Sequence, residues 1–203
     1  MVSHRTLFAA TLLLAGALGP GTAGAENLRE PATGTMFPGE LKLSSGHDLA
    51  GLGTGLREAT IMKVDVYAIA SYVAKDTNLG EDPGSALVAL EVPKQLRIVF
   101  LRDIEGAKMR DACQNSIDKN FGKNTTSFAE DLETFMNQLP VKFRSGDHMN
   151  LTYVPGTGFW GEHNDTGSDP IDNPHLMHAL WTIWFGEFPV NDGLKRDLLG
   201  LKN

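Results

Sequence analysis

The stretch Gly51–Val73, GLGTGLREATIMKVDVYAIASYV, constrains the fold more tightly than any other part of the chain. From Ile61 onward its residues alternate. Met62, Val64, Val66, Ala68, Ala70 and Tyr72 form an apolar parity, and Ile61, Lys63, Asp65, Tyr67, Ile69 and Ser71 form a mixed one. A period of two held this long predicts a half-buried β-strand over Ile61–Val73, because successive strand side chains point to opposite faces. Gly51, Gly53 and Gly55 predict a turn that delivers Arg57 to the start of that strand. They do not form a phosphate loop, since they precede a strand and lack the Gly-Lys-Ser/Thr ending. A guanidinium keeps its charge and presents five donors in a planar fork. Beside apolar and aromatic groups, it suits a ligand with one anionic end and one apolar end.

The first 25 residues predict a secretory signal peptide: Arg5, then the apolar run Leu7–Leu18 of twelve residues, then the small-residue site Ala23-Gly24-Ala25. Such a run is too short to cross a hydrocarbon core of about 30 Å, and no second long apolar run follows. The expectation is an exported protein, periplasmic or secreted, with no membrane span and one domain over residues 26–203. Loss of residues 1–25 would remove one arginine and no acid, taking the net charge from −7 to −8. An acidic chain without basic clusters is not expected to bind nucleic acid. Cys113 is the only cysteine, so no intramolecular disulfide can form. It shares a helical stripe with Met109, Ala112, Ser116, Ile117 and Phe121 and reads as a small buried thiol.

Glu40–Ser44 predicts a short edge strand, and Gln95–Leu101 a buried strand ended by Arg102-Asp103. Ser85–Glu91 fits strand or helix. A helix over Ile104–Phe121 should close at Gly122. A second should start at Ser127 with the capping box Ser127-x-x-Glu130. Its core face is Phe128, Leu132, Phe135, Met136 and Leu139, and Pro140 stops it. The strands His148–Val154 and Gly158–His163 flank the hairpin residues Pro155-Gly156-Thr157. Asn173-Pro174 opens a helix, His175–Phe185, that ends at Gly186, and Asp192–Leu199 forms the last one. Strands, two helices, strands and two helices, without repeated βαβ units, predict an antiparallel α+β fold.

His148, His163, His175 and His178 raise a metal or haem reading, but no ordered carboxylates or cysteines complete a ligand sphere, so no metal or cofactor is assigned. Trp160, Trp181, Trp184 and Phe185 fall late in the chain, as core or as the wall of an apolar cleft. No G-x-S-x-G elbow supports a hydrolase.

Four segments in order resemble the chalcone isomerase-like family: G-x-G-L-R with KVDVYAIASYV, the stretch RIVFLRDI (Arg97–Ile104), YVPGTG (Tyr153–Gly158), and the tail HALWTIWFGEFPVNDGLKRDLLG (His178–Gly200). The resemblance implies an antiparallel sheet with helices layered on one face and a ligand cleft between them. Plant members cyclise chalcones, plastid relatives bind fatty acids, bacterial relatives are non-catalytic, and some mitochondrial relatives are associated with haem. It implies that Arg57 is the cleft arginine and that the enzymes' strand threonine falls at Tyr67. Their tyrosine before the Arg-Asp pair would fall at Leu101 and their late threonine at Ile183. Aliphatic side chains at Leu101 and Ile183 cannot polarise a ketone, so no catalytic residue is assigned. The implied function is non-catalytic binding of a small amphipathic carboxylate such as a fatty acid. Arg57 would hold the head in a bidentate pair and Tyr67 would add a hydrogen bond. A chalcone isomerase-type intramolecular lyase, a haem-binding protein and a partner-binding envelope module remain as alternatives.

Overall fold

The computed structural model describes residues 26–59, 64–122 and 124–201. The expected signal segment and the expected strand residues Ile61, Met62 and Lys63 lie outside them. In chain order the elements are β1 (Leu28–Arg29), β2 (Met36–Phe37), β3 (Glu40–Lys42), β4 (Asp48–Ala59), β5 (Val64–Ala74), α1 (Pro83–Ala89), β6 (Lys94–Phe100), β7 (Ile104–Glu105), α2 (Gly106–Phe121), α3 (Ala129–Gln138), β8 (Lys142–Phe143), β9 (His148–Val154), β10 (Gly158–His163), β11 (Thr166–Gly167), α4 (Pro174–Phe185) and α5 (Asp192–Leu198). Seven strands form one antiparallel sheet in the order β11-β10-β9-β6-β5-β4-β3, and β1–β2 and β7–β8 are separate two-stranded pairs. The sheet curls: Ser44 and Ser45, beside β3, line the same hollow as Trp160 of β10, although β9, β6 and β5 lie between β10 and β4. The expected α+β class holds.

The glycine run is not a turn. Gly51, Gly53 and Gly55 lie inside β4, which pairs with β5 from Leu49↔Ala74 to Ala59↔Val64. The glycines serve close packing of α5. A Cβ on Gly53 would stand 2.1 Å from the Asp197 carbonyl oxygen, and one on Gly55 would stand 2.5 Å from Leu194 Cδ1. Ser71, cross-strand from Gly53, donates its hydroxyl to the Leu198 carbonyl at the end of α5. A glycine within a strand marks a close backbone approach as readily as a bend.

The expected half-burial of β5 is also corrected, because β5 is covered on both faces. Tyr67, Ile69 and Val73, from the mixed parity and its continuation, join the main core under the helices. The apolar parity, Ala68, Ala70 and Tyr72, forms a smaller core with Phe37 and Leu49 on the opposite face. Tyr72 Oη donates to the Pro38 carbonyl (2.8 Å), which ties the segment after β2 to the sheet.

The helices follow the sequence closely, with one correction. Asn173 caps α4 by accepting from the His175 amide (2.9 Å), with Pro174 in the first turn. The Ser127–Glu130 capping box does not form. α3 starts at Ala129 after Phe128, without a side-chain cap. Phe128 is buried edge-on against Phe121 (5.1 Å between centroids). Asn173 Nδ2 bonds both the Ser127 carbonyl (2.9 Å) and Asp131 Oδ2 (2.6 Å). Tertiary anchoring thus sets the start of α3 where a local cap was expected. The expected core face of that helix is buried in full.

Lys94 opens β6 with 0% of its surface exposed. Its ammonium donates to the carbonyls of Leu87 (2.5 Å) and Leu90 (2.8 Å) at the end of α1, and lies 5.2 Å from the Trp181 ring centroid. These contacts suit a cation at a helix C-terminus. Burial nonetheless pushes its pKa down to about 7.

Two outcomes follow from this packing. Gly53→Ala must drive a Cβ into the α5 backbone. The expected cost is ~3 kcal/mol, a fall in Tm of roughly 6–12 °C for a chain of this size, measured by thermal unfolding. A lysine whose folded pKa lies below its unfolded value binds fewer protons when folded, so stability rises with pH between the two values. From pH 6.5 to 7.5, below the ordinary cysteine pKa of about 8.5, unfolding free energy should rise in the native protein. The rise should flatten in Lys94→Met, followed by urea unfolding at stepped pH.

Candidate functional site

The register of β4 on β5 places Arg57 directly opposite Tyr67. Arg57 shares the helix-facing side of β4 with Gly53 and Gly55, so guanidinium and phenol stand on one face as cross-strand neighbours, within side-chain reach. A register shift between Arg57 and Glu58 follows immediately. Bulges of this kind re-aim side chains and recur beside functional sites. Arg57 is half-buried, and it donates from Nη1 to the Glu58 carbonyl. Among the described residues it pairs with no carboxylate. Asp103, after the end of β6, pairs with Lys142 at 2.8 Å.

Tyr67 is 6% exposed and packs edge-on to Phe100, 6.2 Å between centroids. Its hydroxyl accepts a hydrogen bond from Trp184 Nε1 (3.1 Å). A phenol that accepts still has its own proton to donate, and among the described residues no acceptor takes it. Burial pushes the Tyr67 pKa up to about 12, against the opposing pulls of the Trp184 hydrogen bond and the Arg57 charge. The hydroxyl is therefore a neutral donor throughout the physiological range. Cys113 of α2 stands close enough to act on Tyr67 electrostatically, and burial pushes its thiol up to about 12. A protonated thiol is no nucleophile.

The site thus combines one cation and one neutral donor under an aromatic layer of Phe100 and Trp184. Sequence reasoning paired Arg57 with Tyr67 but missed Trp184 as the donor to Tyr67. Its only signal was the i, i+3 spacing of Trp181 and Trp184. Leu101 packs with the opposite core, away from Tyr67; Phe100 is the β6 residue beside the phenol. Ile183 is buried in the helix-side core. His175 and His178 meet edge-on at 6.3 Å, and His178 points Nε2 at the Ala89 carbonyl (3.2 Å). Among the described residues no three His, Cys, Asp or Glu side chains gather as a metal site. Neither Arg57 nor Tyr67 lines the two hollows of about 420 and 430 Å³ found elsewhere on the molecule.

The fold and the ordered segments are those of a chalcone isomerase-like domain. The family model described as chalcone isomerase-like matches residues 31–200, and the chain belongs to that family. No curated protein matches the chain. Among solved structures it is similar to a fatty-acid binding protein of Arabidopsis thaliana, with a TM-score of 0.69 and 20% sequence identity over 87% of this chain and 97% of that one. At this identity the likeness is one of fold.

Desolvation raises all three tyrosines, Tyr67 and Tyr72 to about 12 and Tyr153 in the same direction. Alkaline titration followed at the tyrosinate absorbance should show Tyr67 and Tyr72 ionising well above pH 10 in the native protein, with Tyr153 displaced in the same direction. In urea, all three should ionise near pH 10.

Proposed function

We propose that this protein binds a small amphipathic carboxylate, such as a fatty acid, without turning it over, and that it does so after export to the periplasm. The observation that carries the reading is the pairing of Arg57 with Tyr67 on the helix-facing side of the sheet. The cation has no carboxylate partner among the described residues, and the phenol proton is unspent. A carboxylate accepts two parallel bonds from a guanidinium and a third from a hydroxyl. The Arabidopsis structure of similar fold is a fatty-acid binding protein, which supports the same ligand class. Phe100 beside Tyr67 and Ile183 in the helix-side core carry no hydrogen-bonding group to polarise a ketone, which favours binding over enone chemistry. The segment Met1–Ala25, with its apolar run and small-residue cleavage site, supports export.

Tyr67 is buried against Trp184 and Phe100, so seating an apolar tail beside it must disturb that packing. Ligand uptake should therefore change tryptophan emission. Residues 26–203 are to be titrated with laurate, reading tryptophan fluorescence and heat, beside Arg57→Ala and Tyr67→Phe. Charge-assisted hydrogen bonds contribute ~1.5–3 kcal/mol. Arg57→Ala should thus weaken laurate at least tenfold, and Tyr67→Phe should weaken it less. Unchanged laurate affinity in Arg57→Ala overturns the reading.

A further inference from the structure

A cleft of about 420 Å³ opens between the end of α3 and the strands β9, β10 and β11. Phe135 of α3, Leu139 just after it and Met149 of β9 supply its apolar floor, and Gly161 of β10 leaves the room. A Cβ on Gly161 would come to 3.1 Å from both Met149 Cε and Phe135 Cε2. A larger side chain there would occupy the cleft.

The rim is polar and built. His163 lines the cleft, with its ring edge-on to Phe143 at 5.4 Å. Its Nε2 faces Asp147 Oδ2 at 2.9 Å. Asp147 is held by the Arg144 amide (2.8 Å) and by Asn164 Nδ2 (2.7 Å). Those two bonds, the Arg144 amide first, pull the Asp147 pKa down to about 2. The carboxylate therefore stays ionised and keeps the imidazole proton on Nε2. Nδ1 is the ring atom left to a ligand, and among the described residues it has no partner. Ser168 Oγ accepts from the Gly161 amide (3.1 Å), which leaves its hydroxyl proton unspent. Thr166 and Gln138 add further neutral hydrogen-bonding groups at the mouth.

The charges select the ligand class. No lysine or arginine lines this cleft, and Asp169 stands at its rim with Asp147 behind His163. A carboxylate head would meet like charge here without a cation to hold it, in contrast to Arg57. We infer that this cleft is a second binding site, separate from Arg57 and Tyr67, for a small uncharged amphipath. Its apolar body would rest on Phe135, Leu139 and Met149, and its polar edge would hydrogen-bond His163 Nδ1 and Ser168 Oγ. The volume lies in the range of small-molecule sites.

The test uses N-phenyl-1-naphthylamine, an uncharged probe that brightens in apolar surroundings, with residues 26–203. The expected result is a saturable rise in emission, with a shift of the Met149 methyl resonance that saturates in parallel. Gly161→Leu fills the cleft, and Thr166→Trp closes its exposed mouth without touching the core. Each should weaken the probe at least tenfold, and the second keeps the test valid if the first disturbs folding. Arg57→Ala should leave probe affinity within twofold, and laurate should not displace the probe from that variant. No saturable uptake, an unmoved Met149 methyl, or undiminished affinity in Thr166→Trp overturns the second site. So does loss in Arg57→Ala. Displacement by laurate in Arg57→Ala overturns the uncharged class. Laurate affinity for the native chain is read separately, so this site and the Arg57 site stand or fall apart.

Discussion

The structure depends on covering one helix. From Leu176 to Phe185, α4 is buried at every position except His178, which is half-buried. A helix that is apolar all round has no solvent face and must be enclosed. Contacts to α1, α2, α3, α5 and β10 enclose it, with the sheet below. The rest of the architecture follows from that need. The short helices exist to wrap α4, and the end of α1 is held by the buried ammonium of Lys94, which also lies over the Trp181 ring.

Enclosing α4 also builds the candidate site. Trp184 is pressed onto the sheet at the point where the β4–β5 register sets Arg57 against Tyr67, and its indole satisfies the phenol oxygen. From Tyr67 a row of rings runs across the helix-facing side of the sheet: Phe100 at 6.2 Å, Phe143 stacked on Phe100 at 4.4 Å, and His163 edge-on to Phe143 at 5.4 Å. The cation-bearing end and the His163 cleft are thus two ends of one packed face. Packed aromatic rows are stiff, close-packed material, which holds both ends in position. Charge separates them chemically: Arg57 at one end, Asp147 and Asp169 at the other.

Local signals were read well where local physics decides. His148–Val154 and Gly158–His163 are strands as expected, α4 starts at its Asn173-Pro174 cap, and the buried face of α3 is the expected one. The misreadings share a cause. Gly51, Gly53 and Gly55 look like a turn because glycine is permissive, yet they are strand residues under α5. Ser127 looks like a cap because Glu130 follows three positions on, yet buried Phe128 and the reach of Asn173 set the helix start. On β5, alternation revealed two faces but not which would meet the helices; the mixed parity does. Arg57 and Tyr67 were legible as a pair only through the family resemblance. Trp184, Phe100 and the His163–Asp147 pair were not legible, since each relation crosses many residues of chain.

The sequence by itself determined the α+β class, most element boundaries and the residues of the helix faces. Periodicity, caps and stops act within a few residues, so a linear chain displays them. Tertiary structure alone decided that the glycine run is a strand, which face of β5 carries the main core, that Arg57 stands opposite Tyr67, and that a glycine at 161 leaves a cleft. Register, close approach and unfilled volume are properties of segments brought together from distant parts of the chain. They come into being only when α4 is enclosed.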